Sequence, residues 1–146
     1  MIKPESKNRF KTPKAKKDQI DYDYIIYTDA SLEKRAYIVQ DCTTKKEESR
    51  SVASLSGKTV NEAEYIAVLH AIKHAVRKEM DFILIRSDSQ LVINQILGIY
   101  SIKEKRLEQL HNNLIDAIPQ KMTIHFEWVP REENLAGIWI DNGCKF

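Results

Sequence analysis

The sequence predicts one α/β domain built on a five-stranded mixed sheet, and three observations carry that expectation. Tyr24–Thr28, Phe82–Ser87 and Met122–Val129 are short runs of β-branched and aromatic residues, the chemistry of strands covered by other elements. Asn61–Lys78 and Lys103–Ile118 carry apolar residues at helical spacing. Finally, the first three strands are joined by short polar links, as in an antiparallel meander. The first and fourth are instead joined through a helix, which implies a right-handed parallel crossover that sets them side by side.

At 146 residues the chain is long enough for a single well-formed core. Its 30% charged and 42% hydrophobic residues are ordinary for a globular protein. No apolar run approaches a membrane span and the start lacks a signal-peptide core, so a partner membrane is not expected. Cys42 and Cys144 form neither a CxxC pair nor a disulfide framework, which points to a reducing, cytoplasmic home.

The formal net charge of +2 hides an asymmetry. Residues 1–17 carry seven basic side chains (Lys3, Lys7, Arg9, Lys11, Lys14, Lys16, Lys17) and one acid, Glu5; subtracting them from totals of 23 and 21 leaves 16 basic and 20 acidic residues. With Pro4, Pro13 and almost no apolar periodicity, residues 1–20 are expected to form a flexible arm preceding a domain over 21–146. Such an arm either grips a phosphate backbone by releasing counterions or is simply a solvated terminus.

From Asp21 onward each element has a local reason. Tyr24–Thr28 is an unbroken strand-forming run that delivers Asp29 to its end. After a tight polar turn, Ala36–Gln40 and Glu47–Leu55 read as the second and third strands. Asn61–Lys78 places Val68, Ala71, Ile72 and Ala75 on one face, and Glu64 falls on the same stripe. A carboxylate there is either paired with a cation or angled to solvent as a first-turn acid. Phe82–Ser87 ends at Asp88, which serves either as a helix cap or as a second acid at the sheet edge that carries Asp29. Ser89–Leu97 reads as a helix broken at Gly98, and Lys103–Ile118 as another that stops at Pro119. Met122–Val129 alternates as the fifth strand, and Leu135–Ile140 forms a short closing helix. His70, His74, His111 and His125 have no metal-ligand spacing.

Four separated segments together resemble type 1 ribonuclease H over roughly residues 22–142. They are Thr28-Asp29-Ala30-Ser31, Thr59-Val60-Asn61-Glu62-Ala63-Glu64-Tyr65, Ser87-Asp88-Ser89-Gln90-Leu91-Val92-Ile93-Asn94-Gln95-Ile96-Leu97-Gly98 and Trp128-Val129-Pro130-Arg131-Glu132-Glu133-Asn134. The resemblance implies a ribonuclease H-like fold with sheet order 3-2-1-4-5, strand 2 antiparallel, and helices on both faces. It implies a monomeric endonuclease that cuts the RNA strand of RNA–DNA hybrids and leaves 5′-phosphate and 3′-hydroxyl ends. Such hydrolysis needs an activated water and a stabilised leaving oxygen, which two Mg²⁺ (or Mn²⁺) ions about 4 Å apart can supply from oxygen ligands. Asp29 would bridge the ions, with Glu64 and Asp88 completing the site. Thr59, Asn61 and Gln90 match positions that contact the hybrid, Gln90 and Asn61 being divided between the RNA 2′-hydroxyl side and the DNA.

The sequence departs from the family pattern in places. The closing N-x-x-A-D of the family reads Asn134-Leu135-Ala136-Gly137-Ile138 here, so Ile138 stands where a fourth metal-site carboxylate is expected. Asp141, one helical turn on, is either its replacement or a plain surface acid. Arg131 stands in the loop where some members carry a histidine, and is grouped with the expected substrate contacts. No basic protrusion fits between Leu97 and Lys103, which leaves the Lys-rich arm as a substitute source of substrate affinity. Two other readings stay open: a binding module that lost catalysis with its fourth ligand, and a nuclease of the same fold acting on another nucleic acid.

Overall fold

The computed structural model describes residues 9–13 and 20–145. Strand β1 (Tyr24–Ala30) lies at the centre of the sheet. It pairs antiparallel with β2 (Lys34–Asp41), which pairs antiparallel with β3 (Lys46–Ser54). On its other side β1 runs parallel to β4 (Phe82–Ser87), and β4 parallel to β5 (Thr123–Trp128). The order is therefore β3-β2-β1-β4-β5, as expected.

The helices are α1 (Val60–Arg77), α2 (Gln90–Ile96), α3 (Lys105–Asp116) and α4 (Leu135–Asp141). Alternation along β2 assigns them to faces. Tyr37 and Val39 join the main core with Ile26, Ile83, Ile85, Phe126 and the apolar sides of α1, α2 and α3. Ala36 and Ile38 point the other way, where Trp139 of α4 covers them. A guanidinium caps that smaller cluster, with Arg50 Cζ 4.7 Å from the Trp139 ring centre.

Helix limits follow from their caps. Thr59 and Glu62 form a reciprocal capping box at the start of α1. The helix expected over Lys103–Ile118 spans only Lys105–Asp116, because Glu104 is extended (φ −85°, ψ 129°) and opens the helix as its N-cap. Gly98 ends α2 at φ +76°, a conformation that costs glycine little. Among the described residues no helix is long and apolar enough to cross a membrane.

The leader differs from expectation where it is described. Phe10, expected in a flexible arm, is 3% exposed and meets Phe126 edge-on at 5.5 Å. Its carbonyl accepts from the Phe126 amide at 2.9 Å, and Lys11 bridges to Phe126. One buried aromatic side chain is enough to anchor this segment to β5, although isolated apolar residues carry no periodicity to reveal it. The other Lys-rich stretches of the leader, residues 1–8 and 14–19, lie outside the described residues.

Candidate active site

Sheet register brings two acids together. Thr28 of β1 pairs with Ser87 of the parallel strand β4, so the next residues along each, Asp29 and Asp88, emerge side by side. The capping box fixes where α1 begins and so places Glu64 within its first two turns, facing inward. Carboxylate oxygens of Asp29, Glu64 and Asp88 all lie within 4.8 Å of one another. Neither bland alternative holds for the two helix-related acids. Glu64 is only 6% exposed, and the N-cap of α2 is Ser89, whose hydroxyl accepts from the Val92 amide at 3.2 Å.

Gathering these acids is electrostatically costly. Burial pushes the Asp29 carboxyl up to about 6, although Arg131 pulls it back down, and Asp88 adds to the rise. Burial pushes Glu64 further, to about 9, with repulsion from Asp29 and Asp88 adding to it. Among the described residues Glu64 Oε1 has no hydrogen-bond partner. A buried oxygen without a partner, beside two more carboxylates, is a donor set suited to a hard divalent cation.

A guanidinium enters the same cluster from the loop after β5. Arg131 begins the 3₁₀ turn Arg131–Glu133. Its Nη1 lies 2.7 Å from Asp29 Oδ2 and 2.8 Å from Asp88 Oδ2. On the far side, Nη2 donates to Asp141 Oδ1 at 2.7 Å and to the Gly137 carbonyl at 3.3 Å, while Nε reaches Asp141 Oδ2 at 3.3 Å. The bonds to Asp141, Asp88 and Asp29 raise the affinity of Arg131 for its proton, the Asp141 bond most of all. In return, that bond holds the Asp141 carboxyl below its usual range.

Asn134 ties the loop to the site. Its side-chain amide donates to the Thr28 carbonyl at 2.9 Å and to Asp88 Oδ2 at 3.1 Å, while its oxygen caps α4 through the Ala136 amide. Sequence reasoning quoted Asn134 only as part of a motif. An Asn immediately before a predicted helix is the signal that marks it as a cap. Trp128 adds a further bond, its Nε1 donating to the Asp88 carbonyl at 3.1 Å.

The structure thus joins Asp29, Glu64, Asp88 and Arg131. Asp141 stands outside the trio, its side chain 59% exposed and held by Arg131. Ile138 is exposed. Thr59 and Asn61 lie at the start of α1 and Gln90 at the start of α2, flanking Glu64 and Asp88 in the chain.

The family model for reverse transcriptase-like proteins matches residues 37–140. The chain belongs to the reverse transcriptase-like family. Its sequence is 30% identical over 86 residues to the bifunctional protein Rv2228c of Mycobacterium tuberculosis, covering 59% of this chain and 24% of that protein. The chain thus spans about a quarter of the length of the curated relatives it matches. Among solved structures it resembles the N-terminal RNase H domain of Rv2228c (TM-score 0.71, 23% identity, 83% of this chain and 95% of that one). It also resembles RNase H1 of the archaeon Halobacterium salinarum (TM-score 0.68, 20% identity, 82% and 96%). A third likeness is to LC11-RNase H1, isolated from compost by a metagenomic approach and solved in complex with an RNA/DNA hybrid (TM-score 0.69, 24% identity, 84% and 99%). For this member of the reverse transcriptase-like family, these likenesses show the ribonuclease H fold.

Proposed function

We propose that the chain is a divalent-metal-dependent endonuclease that hydrolyses the RNA strand of RNA–DNA hybrids, leaving 5′-phosphate and 3′-hydroxyl ends. The observation that carries this reading is the convergence of Asp29, Glu64 and Asp88 from β1, α1 and the end of β4, with a buried Glu64 oxygen that has no partner among the described residues. A binding module has no evident need to hold three carboxylates together at such electrostatic expense.

These three residues would hold Mg²⁺ or Mn²⁺. The ions would supply a Lewis acid and a water of lowered pKa for phosphodiester hydrolysis, and the family resemblance implies two of them. Asn134 keeps the Asp88 carboxylate oriented, and burial keeps bulk water from competing for the ligands. Thr59, Asn61 and Gln90 are the proposed contacts to the hybrid. The Thr59 hydroxyl accepts from the Glu62 amide at 3.1 Å, which fixes it at the N-terminus of α1 on the side where a phosphate would approach. The Lys-rich arm would add backbone contacts whose strength falls with salt.

The test is incubation of the purified protein with an end-labelled RNA–DNA hybrid and Mg²⁺ or Mn²⁺, beside Asp29→Asn. Cleavage of the RNA strand by the wild type alone is the expected result. Binding without cleavage in both metals rejects the enzyme reading.

A further inference from the structure

We propose that the Arg131 guanidinium is a resident cation of this site, so that the chain binds one divalent ion where the family resemblance implies two, and that Asp141 positions this guanidinium instead of ligating metal. The inference rests on reading the three acids as a metal site.

Three observations lead to it. First, Arg131 Nη1 sits within 2.8 Å of an oxygen on each of Asp29 and Asp88, two of the three candidate ligands. A guanidinium in that place offers fixed positive charge and no lone pair, so it stands against a second cation drawing on the same carboxylates. Second, Arg131 is held from behind. Both Asp141 oxygens and the Gly137 carbonyl accept from it, which leaves its fork spanning from the trio to α4. Asp141 is thereby spent on Arg131, and no Asp141 oxygen joins the trio.

Third, the cradle requires a glycine. A Cβ built at Gly137 would stand 2.6 Å from Arg131 Nη1 and 2.8 Å from its Cζ, closer than side-chain carbons approach other atoms. Any side chain at position 137 would make the guanidinium shift from this position. Two neighbours in the closing motif therefore act together: Gly137 makes room for Arg131, and Ile138 stands where a carboxylate is expected. A positive group has been fitted where a negative one is missing.

The experiment counts Mn²⁺ bound to the full chain without nucleic acid, by electron paramagnetic resonance of free Mn²⁺ and by calorimetry, with a thermal melt confirming that each variant is folded. The wild type should bind one ion. Arg131→Ala should bind two, the first about tenfold more tightly, since a charge-assisted competitor is gone. Gly137→Ala should shift the same way while keeping the arginine. Asp141→Asn should tighten Mn²⁺ binding by loosening Arg131, whereas removal of a true ligand would weaken it. Two ions in the wild type, one ion still in Arg131→Ala, or weaker binding by Asp141→Asn overturns the proposal. If the wild type binds two ions and cleaves hybrid, only this inference falls. If neither wild type nor Arg131→Ala binds Mn²⁺, the metal-dependent reading falls with it.

Discussion

Two groups of buried polar side chains sit in this sheet, and they are built on opposite terms. One is a seam between β2, β3 and α1. There Arg35 donates from Nε to His70 Nδ1 at 2.7 Å and from Nη1 to Ser51 at 2.9 Å. Tyr37 meets His74 Nδ1 at 3.2 Å, and the other ring nitrogen of His74 faces Ser49 and Glu48. Burial, the first cause in each case, pushes both histidines below their usual range, as neutral rings in a packed interior should be. The other group is the carboxylate trio, where like charges are pressed together and one buried oxygen has no partner among the described residues. In the seam, polarity is satisfied within the protein and serves to join elements. At the trio Arg131 and Asn134 hold Asp29 and Asp88, but Glu64 Oε1 is left over, as expected of a group kept for something that binds.

The contrast can be broken by mutation, and the largest effect is expected at the trio. Asp29→Asn should lower hybrid cleavage by about a thousandfold or more while leaving the fold intact, because it removes a ligand and also relieves repulsion. Single-turnover kinetics beside a thermal melt would check both halves. A residual activity near wild type would remove Asp29 from the site.

The seam should respond in the opposite way. His74→Ala leaves the Tyr37 hydroxyl without its ring partner and opens a gap against α1, so it should cost about 2 kcal/mol of stability. Cleavage per folded molecule should be unchanged. Chemical denaturation with an activity assay decides it, and a large loss of rate in a stable protein would blur the distinction drawn above.

pH separates the groups more finely. A carboxyl whose pKa is raised on folding binds its proton more tightly in the native state, so stability is full below the unfolded pKa and is lost as pH rises toward the folded one. For Glu64 that window runs from its ordinary value to about 9, and for Asp29 to about 6. The metal-free protein should lose up to about 1.4 kcal/mol per pH unit between about 6 and 8 through Glu64 alone. Glu64→Gln should flatten that slope, and Mn²⁺ affinity of the wild type should rise over the same range as the site gives up protons. Melting temperatures at several pH values, with chelator and with Mn²⁺, test both. An identical slope in wild type and Glu64→Gln would show that Glu64 is not the group being titrated.

The smallest effect concerns the leader. Removing residues 1–8, which spares Phe10, should raise KM a fewfold and lessen the dependence of KM on salt by the charge of Lys3 and Lys7. A salt titration of KM reads this, and an unaltered slope would dismiss that stretch as a hybrid contact. Cutting back to residue 17 would be a different experiment, because it also takes Phe10 from the core.

Much of this was legible in the chain because it is local. Strand composition and helical spacing depend on neighbours in sequence, and they place β1, α1 and β4 close to where they are found. One topological rule, the right-handed crossover, then suffices to put Asp29 beside Asp88. What the sequence could not determine depends on contacts between distant residues. Phe10 gave no periodic signal, yet packing on Phe126 made it core. Arg131 read as a substrate contact and Asp141 as either a stand-in ligand or a plain surface acid, since spacing reports the face a residue shares but not where a long side chain ends. Only the folded chain, with Gly137 clearing the path, decided that the Arg131 guanidinium reaches Asp29 and Asp88 on one side and Asp141 on the other.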